Sequence, residues 1–205
     1  MKQLLLTLAL PFVLAPAPAS HDQAAVITNS APTPYLIDNN AIARIQCGQW
    51  VGTGSYLGNG LILTAMHVAA GGNCEADDEP AKLVVSTPGL DYAILRTVAA
   101  QSTRELIDCS GYHEGQALLA TGFAEGALRT VTQRLTASGS YVIQKQFYGE
   151  AILRGSVTQG MSGGPIVDLN TGALVGIVNA NTDDGITQVL SLPVSETALC
   201  RSNLS

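Results

Sequence analysis

The chain is short of charge, of histidine and of helical patterning. Charged residues make up 13% of its 205 residues, 10 basic against 16 acidic, for a formal charge of −6. No Lys/Arg cluster stands out, which argues against a nucleic-acid partner. Helix-type periodicity is scarce, and there is no internal repeat or long low-complexity segment. Beyond the first twenty residues no apolar run approaches membrane-span length. There is no Cys-x-x-Cys pair, so a zinc site is not expected. No cofactor is expected either. Only three histidines exist, His21, His67 and His113, and none follows residue 113.

What is present points to short strands. Hydrophobic residues reach 46%, enough for one substantial core or two small packed units. Glycine, threonine, valine and alanine are plentiful, as in an all-β fold. The first residues have the form of an export signal. Lys2 is the positive end, Leu4 to Leu14 is an apolar run interrupted by Pro11, and Ala17-Pro18-Ala19 is a small-x-small site. Cleavage is expected after Ala19, because a cut after Ala17 leaves proline on the prime side. The mature chain is then secreted or periplasmic, with no stable membrane insertion. In an oxidising compartment Cys47, Cys74, Cys109 and Cys200 read as two disulfides, with three pairings open from sequence alone. Cys47–Cys74, which flanks His67, and Cys109–Cys200, which ties a central linker to the C-terminus, are the favoured pairs.

After an arm over 20–40, strands are expected at Ala43 to Cys47, Trp50 to Leu57, Leu61 to Ala65, Lys82 to Thr87 and Asp91 to Val98. Gly58-Asn59-Gly60 is a hairpin turn. Residues 99–115 read as a linker. A second set follows at Gln116 to Phe123, Leu128 to Ala137, Tyr141 to Gln146, Glu150 to Arg154, Pro165 to Leu169, Ala173 to Asn179 and Thr187 to Leu192, with a turn at Asn170-Thr171-Gly172. Ser195 is expected to cap a short final helix through Leu199. The domain plan is a first β unit over 41–98 and a second over 116–205, each of five or more strands.

The chemistry centres on Gly160-Met161-Ser162-Gly163-Gly164-Pro165. Such a stretch suits a tight turn that lifts a hydroxyl into a cleft and frees N–H groups to face a carbonyl oxygen. A nucleophilic serine needs a base, usually histidine. His21 stands in the first residues of the mature chain and His113 in the linker beside Glu114, the position of a solvated loop histidine. His67 closes an apolar strand. Gly160-x-Ser162-x-Gly164 also fits a nucleophile elbow, but that plan needs a histidine after the serine. A plan with the acid before the histidine has only Asp22 and Asp38, both in the arm. The order that remains is His, Asp, Ser.

Three motifs in that order resemble the chymotrypsin-like serine peptidases. Gly52-Thr53-Gly54-Ser55 with Thr64-Ala65-Met66-His67 is similar to the histidine motif, Asp91-Tyr92-Ala93-Ile94-Leu95 to the aspartate motif, and Gly160 to Pro165 to the serine motif. The short interval from His67 to Asp91 is closer to bacterial and HtrA-type members than to animal digestive enzymes, and no PDZ module is expected after Ser205. The resemblance implies two packed six-stranded antiparallel β-barrels with a short C-terminal helix. It implies Ser162 as nucleophile, His67 as base, Asp91 as its orienting acid, and the N–H groups of Gly160 and Ser162 as the oxyanion hole. Met161 stands where trypsin-type members usually carry an aspartate that pairs with a new N-terminus, so that activation switch is not expected. Counting from the serine motif puts Ser156 and Val157 near the base of the specificity pocket, Asn179, Ala180 and Asn181 on a substrate-pairing edge, and Gly185 and Thr187 on the far wall. With Asp183 and Asp184 read as an exposed turn, a neutral P1 residue is expected. The implied protein is a monomeric endopeptidase acting on protein or peptide substrates. A catalytically inactive relative that binds proteins through the same cleft is the alternative, and a structural β-barrel is the third reading.

Overall fold

The computed structural model describes residues 38–86, 89–98, 105–126, 131–144, 147–181 and 188–201. The expected export signal, nearly all of the arm, and Asp183, Asp184, Gly185 and Thr187 lie outside those residues. Among them, twelve strands close into two barrels of six.

The first barrel comprises β1 (Ile42–Cys47), β2 (Trp50–Gly58), β3 (Leu61–Thr64), β4 (Cys74–Ala76), β5 (Glu79–Ser86) and β6 (Ala93–Thr97), with the one-turn helix α1 (Met66–Ala69) after β3. The second comprises β7 (Ala117–Gly122), β8 (Val131–Gln144), β9 (Phe147–Arg154), β10 (Pro165–Asp168), β11 (Leu174–Asn181) and β12 (Gln188–Pro193), followed by helix α2 (Ala198–Arg201). Around each barrel the order is the same: β1-β2-β3-β6-β5-β4 in one, β7-β8-β9-β12-β11-β10 in the other. Each ladder is antiparallel. β1 closes on β4 with Cys47 opposite Cys74, and β10 closes on β7 with Ile166 opposite Ala120. Closure leaves no open sheet edge in either barrel.

Both disulfides form as the favoured pairs. Cys47–Cys74 staples the closing ladder of the first barrel, and Cys109–Cys200 ties the inter-barrel segment to α2. Ile45, Tyr56, Ile62 and Leu95 fill the first barrel, and Leu118, Leu153, Ile166 and Met161 fill the second. A third apolar cluster draws on both, with Leu63, Tyr92 and Ile94 against Leu174, Ile177 and Leu192. Both barrels fall within one compact unit.

Several elements differ from the sequence reading. β4 was not expected, being three residues with no readable period. β5 begins at Glu79 rather than Lys82. The two strands expected on either side of Ser138-Gly139-Ser140 are one long strand, β8, because a register shift against β9 between Ala137 and Tyr141 absorbs the interruption. The final helix is not capped by Ser195. A 3₁₀ turn spans Val194–Glu196, and the Thr197 hydroxyl accepts the Leu199 N–H at 3.3 Å while donating to Val194 O at 2.7 Å.

Candidate active site

His67 stands in the first turn of α1, where backbone N–H groups have no partner within the helix. Ala65 precedes the helix and has no side-chain cap to offer. Asp91, just before β6, supplies one. Its Oδ1 accepts the His67 N–H at 2.8 Å, and its Oδ2 lies 2.7 Å from His67 Nδ1. An ionised carboxylate only accepts, so neutral His67 carries its proton on Nδ1 and leaves Nε2 as an acceptor. The Asp91 side chain is 18% exposed and that of His67 43%. The ring therefore reaches solvent while its anchor is mostly covered. β3 and β6 pair directly, Thr64 opposite Ala93, and this register brings the two residues together.

Ser162 sits in the turn that leads into β10. Gly163, at φ +81°, lies so close to Thr64 Oγ1, Thr53 O and Ala65 N that a side chain there has no room. The serine turn thus rests against the residues that lead into α1. It is stitched to β11 by Gly163 N–H to Val178 O at 2.7 Å and Val178 N–H to Gly164 O at 2.9 Å. The Ser162 hydroxyl donates to Asn179 O at 3.1 Å. Asn179 stands at the register shift of the β11–β12 ladder between Val178 and Ala180. Among the described residues neither the Gly160 nor the Ser162 N–H finds an acceptor. Met161 between them is fully buried in the second barrel's core, and its sulfur takes the Thr158 N–H at 3.4 Å.

The expected pocket residues divide. Val157 and Asn181 are joined: the Asn181 carboxamide accepts the Val157 N–H at 3.0 Å and donates to Val157 O at 2.6 Å. The Asn181 side chain is thereby committed to holding the segment that carries Ser156. Val157 and Asn179 are buried, Ser156 is half-buried and Ala180 is exposed. Thr187 lies outside the described residues. His113 is an exposed loop residue. Asp77 and Asp78, both exposed in the β4–β5 turn, also hold Arg44 and Tyr56.

Two features were missed. A cavity of about 390 Å³ opens beside Gly160, lined by Gln49, Trp50, Val51, Glu125 and Gln159, with Trp50 51% exposed. Thr53, completely buried in β2, bonds to both Gly160 and Ser162. The Gly-Thr-Gly-Ser motif marked its position, but nothing local in it announces partners more than a hundred residues away.

Residues 52–177 match the family model described as a trypsin-like peptidase domain. Among curated proteins, the chain is 28% identical to serine protease Rv3671c and to serine protease MT3772 of Mycobacterium tuberculosis, over 90% of this chain and 52% of each relative. The chain thus spans about half the length of the curated relatives it matches. Among solved structures, the active form of Rv3671c protease from M. tuberculosis superposes with a TM-score of 0.68 at 25% identity, covering 94% of this chain and 92% of that one. The HtrA-type protease AlgW with a tripeptide gives a TM-score of 0.66 at 23% identity, covering 79% and 58%. The latter likeness is one of fold.

Proposed function

Because the chain belongs to the trypsin-like peptidase domain family, we propose that it is an exported serine endopeptidase that hydrolyses peptide bonds through an acyl-enzyme on Ser162. The reading is carried by one observation: a carboxylate fixes both the backbone and the ring of His67, and the Ser162 turn packs against Thr64 and Ala65 beside it.

In this reading the Ser162 hydroxyl leaves Asn179 O by rotating about χ1 and donates to His67 Nε2. Oγ attacks the substrate carbonyl, and its proton passes to His67 and then to the leaving amine. Asp91 stabilises the imidazolium without taking the proton. The N–H groups of Gly160 and Ser162 receive the oxyanion, each worth about 3 kcal/mol of transition-state stabilisation. Water then repeats the sequence on the acyl-enzyme. Ser156 and Val157 floor the P1 site, Asn179 to Asn181 pair with substrate backbone, and Thr187 completes the wall, with a neutral P1 side chain preferred. The two disulfides support maturation in an oxidising compartment after removal of residues 1–19.

An inactive, protein-binding chain is the competing reading, favoured by the bond from Ser162 to Asn179. Catalytic hydrogen bonds are often incomplete before substrate arrives, so that bond does not exclude turnover. Labelling with a fluorophosphonate probe separates the two. The wild-type chain should be modified at Ser162, and Ser162→Ala and His67→Ala should not. An unlabelled wild type sinks the peptidase reading, and cleavage of a peptide library mainly after Arg or Lys sinks the pocket assignment.

A further inference from the structure

We propose that Thr53 is a positioning residue for the oxyanion turn. It acts through Gly160 and Ser162 rather than on substrate, and the assignment rests on the serine-peptidase reading above. Thr53 is fully buried in β2, in the barrel that carries His67 and Asp91, yet both of its donors, the hydroxyl and the N–H, go to the serine turn. Its Oγ1 accepts the Phe123 N–H at 3.0 Å. The hydroxyl proton is then free for one acceptor, and Gly160 O lies at 2.8 Å. The Thr53 N–H donates to Ser162 O at 2.8 Å, and Thr53 O accepts the Thr64 hydroxyl at 2.7 Å. Thr64 stands three residues before His67.

In a trans peptide the C=O and N–H point in opposite directions, so fixing one end aims the other. The carbonyls of residues 159 to 162 are all fixed. Gln159 O takes the Glu125 N–H at 2.6 Å, Gly160 O and Ser162 O go to Thr53, and Met161 O takes the Gly164 N–H at 2.9 Å. The Gly160 N–H is aimed through Gln159 O and the Ser162 N–H through Met161 O, while Thr53 holds the two alternate peptides, 160–161 and 162–163, whose placement sets where those N–H groups sit. Gly160, at φ +91°, has no Cβ to restrict the rotation of the following peptide. Backbone freedom at that point has to be removed from outside, and the Thr53 hydroxyl meets it at the Gly160 carbonyl. The Thr158 O that accepts the Met161 N–H at 3.1 Å holds the far end of the same peptide.

Fluorophosphonate labelling of the full chain tests this role. As the Oγ–P bond forms the P–F bond breaks, fluoride leaves, the serine proton goes to His67, and the phosphoryl oxygen occupies the hole. The labelling rate therefore reads the turn as well as the nucleophile. Thr53→Ser and Thr53→Ala lack the same methyl group and differ by one hydroxyl. Per folded molecule, with folding followed by near-UV circular dichroism, Thr53→Ala should label on the order of tenfold more slowly than Thr53→Ser. The midpoint of the pH–rate profile should be unchanged, since His67 and Asp91 are untouched. If Thr53→Ala does not fold, the isosteric Thr53→Val is compared with wild type. Equal rates with and without the hydroxyl overturn the proposal, as does a shifted midpoint, which places the damage at His67. A wild type that is not labelled overturns the peptidase reading and this role with it. A labelled wild type with unaffected Thr53 variants overturns this role alone.

Discussion

Asp91 meets His67 at two atoms, taking the backbone N–H on Oδ1 and the ring on Oδ2. One carboxylate thus starts the helix and sets the tautomer. Asp91→Asn separates the two jobs: the amide oxygen still accepts the backbone N–H, but the amide NH₂ donates to Nδ1 and forces the proton onto Nε2. Labelling and peptide hydrolysis should fall by ~10⁴ in rate, with a change in stability under about 1 kcal/mol. Asp91→Ala should lose both the activity and a cap worth about 1 kcal/mol. A labelling rate for Asp91→Asn within tenfold of wild type contradicts the assigned tautomer.

Most strands, the three motifs and the number of disulfides were legible because each has a local signature: alternation, a glycine-rich turn, or a cysteine count; the closed barrels came from the family resemblance. Other features have none. The shared topology of the barrels leaves no repeat in the sequence, since strand order is a matter of pairing and not of residue identity. Strand β4 is specified by what lies opposite it, Cys47 and Gln46 on one side and Ala81 and Pro80 on the other. The Asn181 side chain is occupied by Val157, a partner 24 positions away. Thr53 is the same case over a longer span.

Glu105 should make the protein less stable at neutral than at acid pH. Its side chain is 5% exposed, and among the described residues Oε1 has no hydrogen-bond partner. Burial, reinforced by the charge of Asp38, pushes its pKa up from 4.5 to about 7. Between those values the folded chain holds a proton that the unfolded chain has lost. Stability therefore falls as pH rises from 4.5 to about 7, by at most about 3 kcal/mol. Glu105→Gln should flatten that slope and raise the urea midpoint at pH 7.5. An unchanged slope excludes Glu105 as its source.

Asp168 should act in the opposite direction. Burial raises its pKa, but hydrogen bonds from the Gln116 side chain and the N–H groups of Thr171 and Asn170 outweigh it and hold the carboxyl below its usual 3.8. Its contribution is present above the unfolded value and is lost as pH falls through the folded one. Asp168→Ala should cost about 2–3 kcal/mol at pH 7, and the gap to wild type should narrow as acid protonates the wild-type carboxylate. Urea titrations at pH 7 and at acid pH check both statements. A gap that stays constant removes the charge from the explanation.

The disulfides should differ in worth: Cys47–Cys74 joins two buried residues, and Cys109–Cys200 joins an exposed residue to a half-buried one. Cys47–Cys74 spans 27 residues and joins neighbours already aligned across the β1–β4 ladder. Cys109–Cys200 spans 91 residues and ties the inter-barrel segment to α2. If a cross-link acts by restricting the unfolded chain, the longer loop gains more, and its removal should cost about 1 kcal/mol more than removal of the shorter one. Denaturant titrations of Cys47→Ser/Cys74→Ser and Cys109→Ser/Cys200→Ser under non-reducing conditions give the comparison. The reverse order would mean that the closing ladder of the first barrel depends on its staple in the folded state, beyond any effect on the unfolded chain. The first double variant should then also slow labelling at Ser162, because β1 and β2 pair along their length and β2 carries Thr53.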